Sequence, residues 1–168
     1  MRLASVTLAP LLFASLAAGC SSGGRTISSH SVRVVVPAGW QRVEAAPAGP
    51  ITDPRTLLVV GTAGVRPLAT RCEIAAYRLP PSGAVVVVFG WRSIATAGGG
   101  PWTHGRGPLK SLVAVRRPSF ECFSGRGASS DVLLGGKPYQ VNVMVGDRAS
   151  KTRVEEALAV ARSFDLAR

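Results

Sequence analysis

The chain has 168 residues, enough for one domain preceded by a leader. Hydrophobic residues make up 46% of it and charged residues 17%, a balance that excludes a wholly disordered chain. The 19 glycines and 12 prolines argue against an all-helical bundle. Three cysteines are too few for a small protein held together by disulfides. The net charge is +11. Composition therefore limits the fold class but assigns no biochemical activity.

Residues 1–19 have the features of an export signal. Arg2 is the only charge before Arg25, and an apolar run continues as far as Ala18. This run is shorter than the ~20 residues that a membrane-spanning helix needs, and Pro10 weakens a permanent helix. The pattern predicts a cleaved signal peptide.

The leader ends in residues 16–20 (LAAGC), which resemble the lipobox of bacterial lipoproteins. Ala17 stands where the commonest form of that motif has leucine. In this family the cysteine thiol receives diacylglycerol and the leader is cut before the cysteine, so the resemblance implies that Cys20 becomes a lipidated N-terminus. It also implies an extracytoplasmic protein anchored to the bacterial cell membrane. The alternative is ordinary secretion, with cleavage near Ala18 or Gly19.

Three regions follow from this interpretation. Residues 1–19 are the signal peptide, residues 20–30 are the lipidated cysteine with a flexible Ser/Gly tether, and residues 31–168 are a single domain. Loss of the leader removes only the charge of Arg2, which leaves the mature chain one unit below +11.

The two other cysteines, Cys72 and Cys122, are predicted to form a disulfide. The compartment outside the membrane is oxidising, and two remaining cysteines in an exported domain most simply pair. The alternative is that Cys122 is a nucleophile with His104 as its base, but a nucleophile also needs a group that orients the base.

Most of the domain has the pattern of β-strands. Residues 84–91 (AVVVVFGW) predict a central strand covered on both faces, and residues 72–78 are expected to form a hairpin with it. Residues 95–109 are predicted to be a long loop. Further strands are expected at 31–36, 57–60, 111–115, 119–123, 130–134 and 139–145.

The last two strands are predicted to be joined by a two-residue turn at Gly135 and Gly136. In residues 139–145, Tyr139 and the valines alternate with Gln140, Asn142 and Met144, so the valine face is expected in the core and the other face is expected to be more exposed.

One helix is expected at the C-terminus. Ser150 or Thr152 could cap it, with Glu155 completing a capping box after Thr152. Its apolar stripe is expected to pack on the sheet, the alternative being a helix that lies on the membrane. The fold class is therefore α+β, with an antiparallel sheet of about five to seven strands and a C-terminal helix packed on one face.

Two segments carry a further resemblance. Residues 34–40 (VVVPAGW) and the strand, "VGDRAS" and helix within residues 139–164 resemble small lipoproteins of high-GC Gram-positive bacteria that have a Mog1/PsbP-like domain. The resemblance implies this fold and an envelope location, and most such proteins have no assigned activity.

No catalytic motif was found, and we expect neither an enzyme nor a bound cofactor or metal. The chain has no G-x-S-x-G elbow, phosphate loop or H-E-x-x-H sequence. Glu73 and Glu121 each adjoin a cysteine of the predicted disulfide and could approach one another. The alternative function is thus an envelope hydrolase that uses Cys122 or this acidic pair.

A basic stretch from Trp91 to Arg126 offers a possible binding surface. We expect Arg92, Arg106, Lys110 and Arg126 to bind an anionic lipid or wall polymer, with Trp91 and Trp102 at the interface. Nucleic acid is not expected as a partner of an exported protein. The alternative is a solvated face that has no partner. The sequence leaves the protein partner unidentified.

Overall fold

The structure, a computed structural model, describes residues 23–47, 53–69, 77–98, 102–120 and 122–167. The first elements are β1 (Arg25–Ser29), β2 (Val32–Val36), β3 (Trp40–Arg42), β4 (Arg55–Thr62), β5 (Arg66–Pro67), β6 (Tyr77–Arg78) and β7 (Ala84–Gly90). They are followed by β8 (Thr103–His104), α1 (Gly107–Lys110), β9 (Val115–Arg116), β10 (Arg126–Leu134), β11 (Lys137–Val145), α2 (Lys151–Arg162) and β12 (Asp165–Leu166).

A seven-stranded sheet forms the centre of the domain. Its order is β3-β4-β7-β11-β10-β8, and β9 also pairs with β10. Every pair in it is antiparallel except β8 with β10. A three-stranded sheet, β1-β2-β12, and the β5–β6 pair complete the described strands. The prediction of a mainly antiparallel sheet with a C-terminal helix is confirmed.

The β1–β2 hairpin occupies part of the segment that the sequence assigned to the tether. The two residues between the strands, His30 and Ser31, both have positive φ, at 48° and 64°. Positive φ at both central positions is the requirement of a type I′ turn, for which Asn-Gly is the usual signal. Within β1, burial is confined to Ile27. The strand therefore lacks both an alternating apolar pattern and a typical turn sequence, and the sequence did not predict it.

Strand β7 is buried along its whole length, as the valine run predicted. The predicted hairpin between residues 72–78 and this strand is wrong, because β4 and β11 occupy its two edges. The described end of the 72–78 segment, β6, pairs with β5 instead. Two-sided hydrogen bonding leaves β7 no edge for a third partner.

Apolar side chains cover both faces of the central strands. One buried cluster includes Val86, Val88, Val141 and Val143, and the buried side chains of α2 belong to the same cluster. The cluster on the other face includes Val87 and Met144 and is completed by side chains from loops and a short strand: Val43, Val65, Tyr77 and Phe120.

The predicted exposure of the second face of β11 is wrong. Asn142 and Met144 are fully buried, and Gln140 is half-buried. The reason is tertiary: loops distant in sequence fold over this face, and no local pattern signals them.

The region before β10 contains less strand than the sequence predicted. The expected loop over residues 95–109 contains β8 and the start of α1, and only Val115 of the expected strand at 111–115 lies in a strand, β9. The described residues of 119–123 form no strand. Pro118 lacks an N–H to donate, and Arg117, at φ 54°, turns the backbone away from an extended path.

The C-terminal helix begins after Ser150, whose hydroxyl accepts a hydrogen bond from the Arg153 N–H at 3.1 Å. Thr152 lies inside the helix, so the capping box predicted between Thr152 and Glu155 does not form. Phe164 follows the helix and is fully buried, with its ring 5.5 Å from that of Tyr139. Within the described residues, neither helix is long and apolar enough to cross a membrane.

The cap makes a testable difference between two neighbouring hydroxyl residues. Ser150→Ala should lower the free energy of unfolding by about 1 kcal/mol, because the Arg153 N–H loses its acceptor. Thr152→Ala is the matched control and should change it by less than about 0.5 kcal/mol. Urea denaturation measures both. Equal losses in the two variants would contradict the assignment of Ser150 as the cap.

Candidate functional site

Two of the four predicted basic residues hold the ends of α2. The Arg126 guanidinium donates a hydrogen bond to the carbonyl of Ala149, just before the helix, at 2.8 Å. The Arg106 guanidinium donates to the carbonyl of Arg162, in the last turn, at 2.7 Å. Arg106 also forms an ion pair with Asp165, at 3.6 Å. Both arginines are half-buried.

These contacts separate Arg106 from Arg126. Their acceptors lie at opposite ends of a 12-residue helix, whose axis is about 18 Å long at about 1.5 Å per residue. The two guanidinium groups therefore form hydrogen bonds at two different places on the domain. The structure does not gather the four predicted residues into one cluster.

The other two basic residues, Arg92 and Lys110, are exposed. The backbone N–H of Arg92 donates to a carboxylate oxygen of Asp53 at 3.1 Å. Trp91 and Trp102 pack edge to face on each other, with ring centroids 5.3 Å apart. This contact between the two rings does not support the prediction that the tryptophans lie at an interface with an anionic surface. Binding of an anionic surface by the basic stretch stays a prediction.

Cys122 and His104 are not brought together. His104 pairs with Leu133 near the end of β10, whereas Cys122 lies just before its start, at φ 61°. A general base must lie within hydrogen-bond reach of the proton it removes. The geometry does not support the Cys122–His104 pair as a nucleophile and its base.

Several predicted residues lie outside the described part of the chain. They are Cys20, Cys72, Glu73 and Glu121. The lipidated cysteine, the Cys72–Cys122 disulfide and the acidic pair therefore stay predictions. Among the residues that are described, no three His, Cys, Asp or Glu side chains are grouped closely enough to hold a metal ion.

One cleft in the described part of the chain was missed by sequence reasoning. It is a cleft of about 570 Å³ between β10 and the segment 111–119. Its walls include Val113 and Val115, which are 63% and 47% exposed. Sequence reasoning placed both in a strand, whereas in the structure only Val115 lies in one, β9, and the exposure of the two side chains is visible only there.

Polar groups border the apolar part of this cleft. Arg117 and Asp131 line it together with Ser129 and Ser130. Desolvation raises the pKa of the Asp131 carboxyl, and a hydrogen bond with the Gln140 side chain opposes that shift. The Ser130 hydroxyl is buried and has no hydrogen-bond partner among the described residues.

No protein-family model fits the chain, and no curated protein matches it.

The arginine contacts predict unequal effects of three similar substitutions. Arg126→Ala and Arg106→Ala should each lower the free energy of unfolding by about 1–2 kcal/mol, because each removes a charge-assisted hydrogen bond to a carbonyl that the half-buried site shields from water. The control is Arg92→Ala, which should change the free energy of unfolding by less than about 0.5 kcal/mol because the Arg92 side chain is exposed. Denaturant unfolding of the three variants checks this. A loss at Arg92 as large as the other two would show that general charge, not these contacts, is responsible.

Proposed function

We propose that the protein is a lipid-anchored, extracytoplasmic lipoprotein whose domain binds a partner or supports the cell envelope without catalysis. The observation that carries this proposal is the sequence of residues 1–24: a short apolar leader, the LAAGC motif and a Ser/Gly segment. A single acyl chain gives only marginal, reversible membrane binding, so the two or three chains implied for Cys20 would provide a stable anchor.

The position of β1 supports an arrangement close to the membrane. The first strand begins at Arg25, five residues after Cys20. A fully extended chain covers at most about 3.5 Å per residue, so these residues span about 17 Å. In an anchored protein, the start of β1 would therefore lie within about two Debye lengths of the lipid surface.

This proximity also favours an anionic lipid or wall polymer as a partner. Electrostatic attraction is about 1 kcal/mol for each arginine or lysine near an anionic surface and fades within a Debye length of about 8 Å. The exposed Arg92 and Lys110 are available for it. Arg106 and Arg126 contribute less, because their guanidinium groups are engaged with carbonyl oxygens of the domain.

We also infer that α2 covers one face of the central sheet. Its buried residues, among them Ala157, Leu158 and Ala161, belong to the same apolar cluster as Val86 and Val143. The arginine contacts at its two ends support the same placement. The helix is then part of the domain's core, which leaves Cys20 as the membrane attachment.

Cys20→Ala tests the anchor directly. The variant should lose palmitate labelling and should leave the membrane fraction after a high-salt wash, because no acyl chain remains. Ser21→Ala is the matched control and should behave as the parent. A Cys20→Ala protein that is cleaved normally and stays membrane-bound in high salt would overturn the proposal.

The Cys72–Cys122 disulfide has a separate test. Non-reducing peptide mapping should yield one linked pair of peptides. Cys72→Ala and Cys122→Ala should each lower the free energy of unfolding by roughly 2–4 kcal/mol, because the unfolded chain regains the freedom of a loop of about 50 residues. The double variant should lose no more than either single one. Additive losses, or both thiols free to alkylation in the native protein, would rule the bond out.

A further inference from the structure

Within the described residues, the outer edge of β10 is paired only near its two ends. β9 pairs with Arg126 and Gly127, and β8 pairs with Val132 and Leu133. Between these pairs, the described part of the chain places no strand beside residues 128–131. The five steps from Gly127 to Val132 correspond to about 17 Å at about 3.4 Å per residue. The seven-stranded sheet thus has a gap in its edge.

Backbone hydrogen-bonding groups point into this gap. The carbonyls of Gly125 and Leu133 accept hydrogen bonds from the N–H groups of Arg117 and Gly105, at 2.9 and 3.0 Å, on the outer side of the strand. The pairing of β10 with β11 continues without a bulge, so alternate residues keep their backbone groups on the same side. Ser129 therefore directs its N–H and C=O into the gap.

Unpaired backbone groups at the edge of a strand form a template for another extended chain. The cleft beside them adds apolar walls from Pro108, Leu112, Val113 and Val115. Val113 and Val115 are two of the four large hydrophobic side chains that are exposed in the described residues. The volume of about 570 Å³ lies within the range of ligand-binding clefts.

The two ends of the gap differ in charge. Arg117 lies beside Gly125, at the start of β10, and the carboxyl of Asp131 lies toward β8. Arg117 and Asp131 both line the cleft. An occupant that places a carboxylate near Arg117 and a cation near Asp131 would match both ends.

We propose that this gap binds an extended segment of a partner protein, which adds a strand to β10 in antiparallel orientation. The segment has a basic residue at its N-terminal end, apolar residues in the middle and an acidic residue at its C-terminal end. Antiparallel pairing lets one peptide residue bond both the N–H and the C=O of Ser129. This inference rests on the proposed binding function and names the chemistry of its partner.

The first test uses a synthetic probe with the sequence Lys-Val-Val-Val-Glu, blocked at both ends and carrying a fluorophore. Anisotropy titration against the purified full chain in mild detergent should show saturable binding. A peptide N-methylated on its central valine should bind at least tenfold more weakly, because it cannot donate to the Ser129 carbonyl. The reversed sequence should also bind more weakly, since its charges meet like charges in the antiparallel orientation.

Substitutions in the protein locate the site. Val113→Asp combined with Val115→Asp should weaken binding at least tenfold and leave stability little changed, because both side chains are already exposed. Ile94→Asp is the matched control, since Ile94 is 40% exposed and lies outside the cleft. Hydrogen exchange adds a local readout, because the Ser129 amide should become protected only when the peptide is bound.

Three results would overturn the proposal. They are equal binding of the N-methylated peptide, no change in Ser129 exchange at saturating peptide, and a concentration-dependent dimer of the free protein that the double valine variant abolishes. The last would make a second copy of the chain the occupant. These measurements do not depend on acylation, so a failed anchor and a failed peptide site give different results.

Discussion

The fold depends on keeping water from both faces of β7. All seven residues of this strand are buried, and at about 25 cal/mol per Å² of apolar surface such a run strongly favours a central position. Two-sided hydrogen bonding to β4 and β11 satisfies its backbone, while two separate apolar clusters cover its side chains. Each cluster requires residues that are distant in sequence.

The two clusters are built in different ways, and this difference affects function. One contains the regular helix α2, whose ends are bonded by Arg106 and Arg126. The other contains residues from loops and a short strand, such as Val43, Val65 and Phe120. The segment between α1 and β10 contributes Phe120 to this cluster. Its described residues contain one short strand, β9. Among the described residues, no strand pairs with the outer edge of β10 at Ser129.

The basic side chains of the segment from Trp91 to Arg126 fall into two groups. Arg106 and Arg126 place guanidinium groups against backbone carbonyls, where the planar fork of arginine is better suited than the point charge of lysine. The exposed Arg92 and Lys110 have no such engagement and supply charge at the surface. A count of basic residues along a segment therefore overstates the charge available to an external partner.

The sequence by itself determined the features that depend on neighbouring residues. The valine run of residues 84–90 identified a strand buried on both faces. Gly135 and Gly136 identified the turn between β10 and β11, where both residues adopt positive φ, at 56° and 75°. The polar start and apolar stripe of residues 150–162 identified the C-terminal helix. In each case, the local backbone preference agrees with the tertiary arrangement.

Only the tertiary structure decided which distant segments meet. The pairing of β7 with β4, the burial of Met144 and the separation of Arg106 from Arg126 all depend on contacts between residues far apart in the chain. The turn at His30 and Ser31 was also beyond local prediction, because pairing of β1 with β2 imposes positive φ on residues that do not favour it. The gap beside Ser129 follows from where β8 and β9 end, and the free energy of the whole domain sets those endpoints.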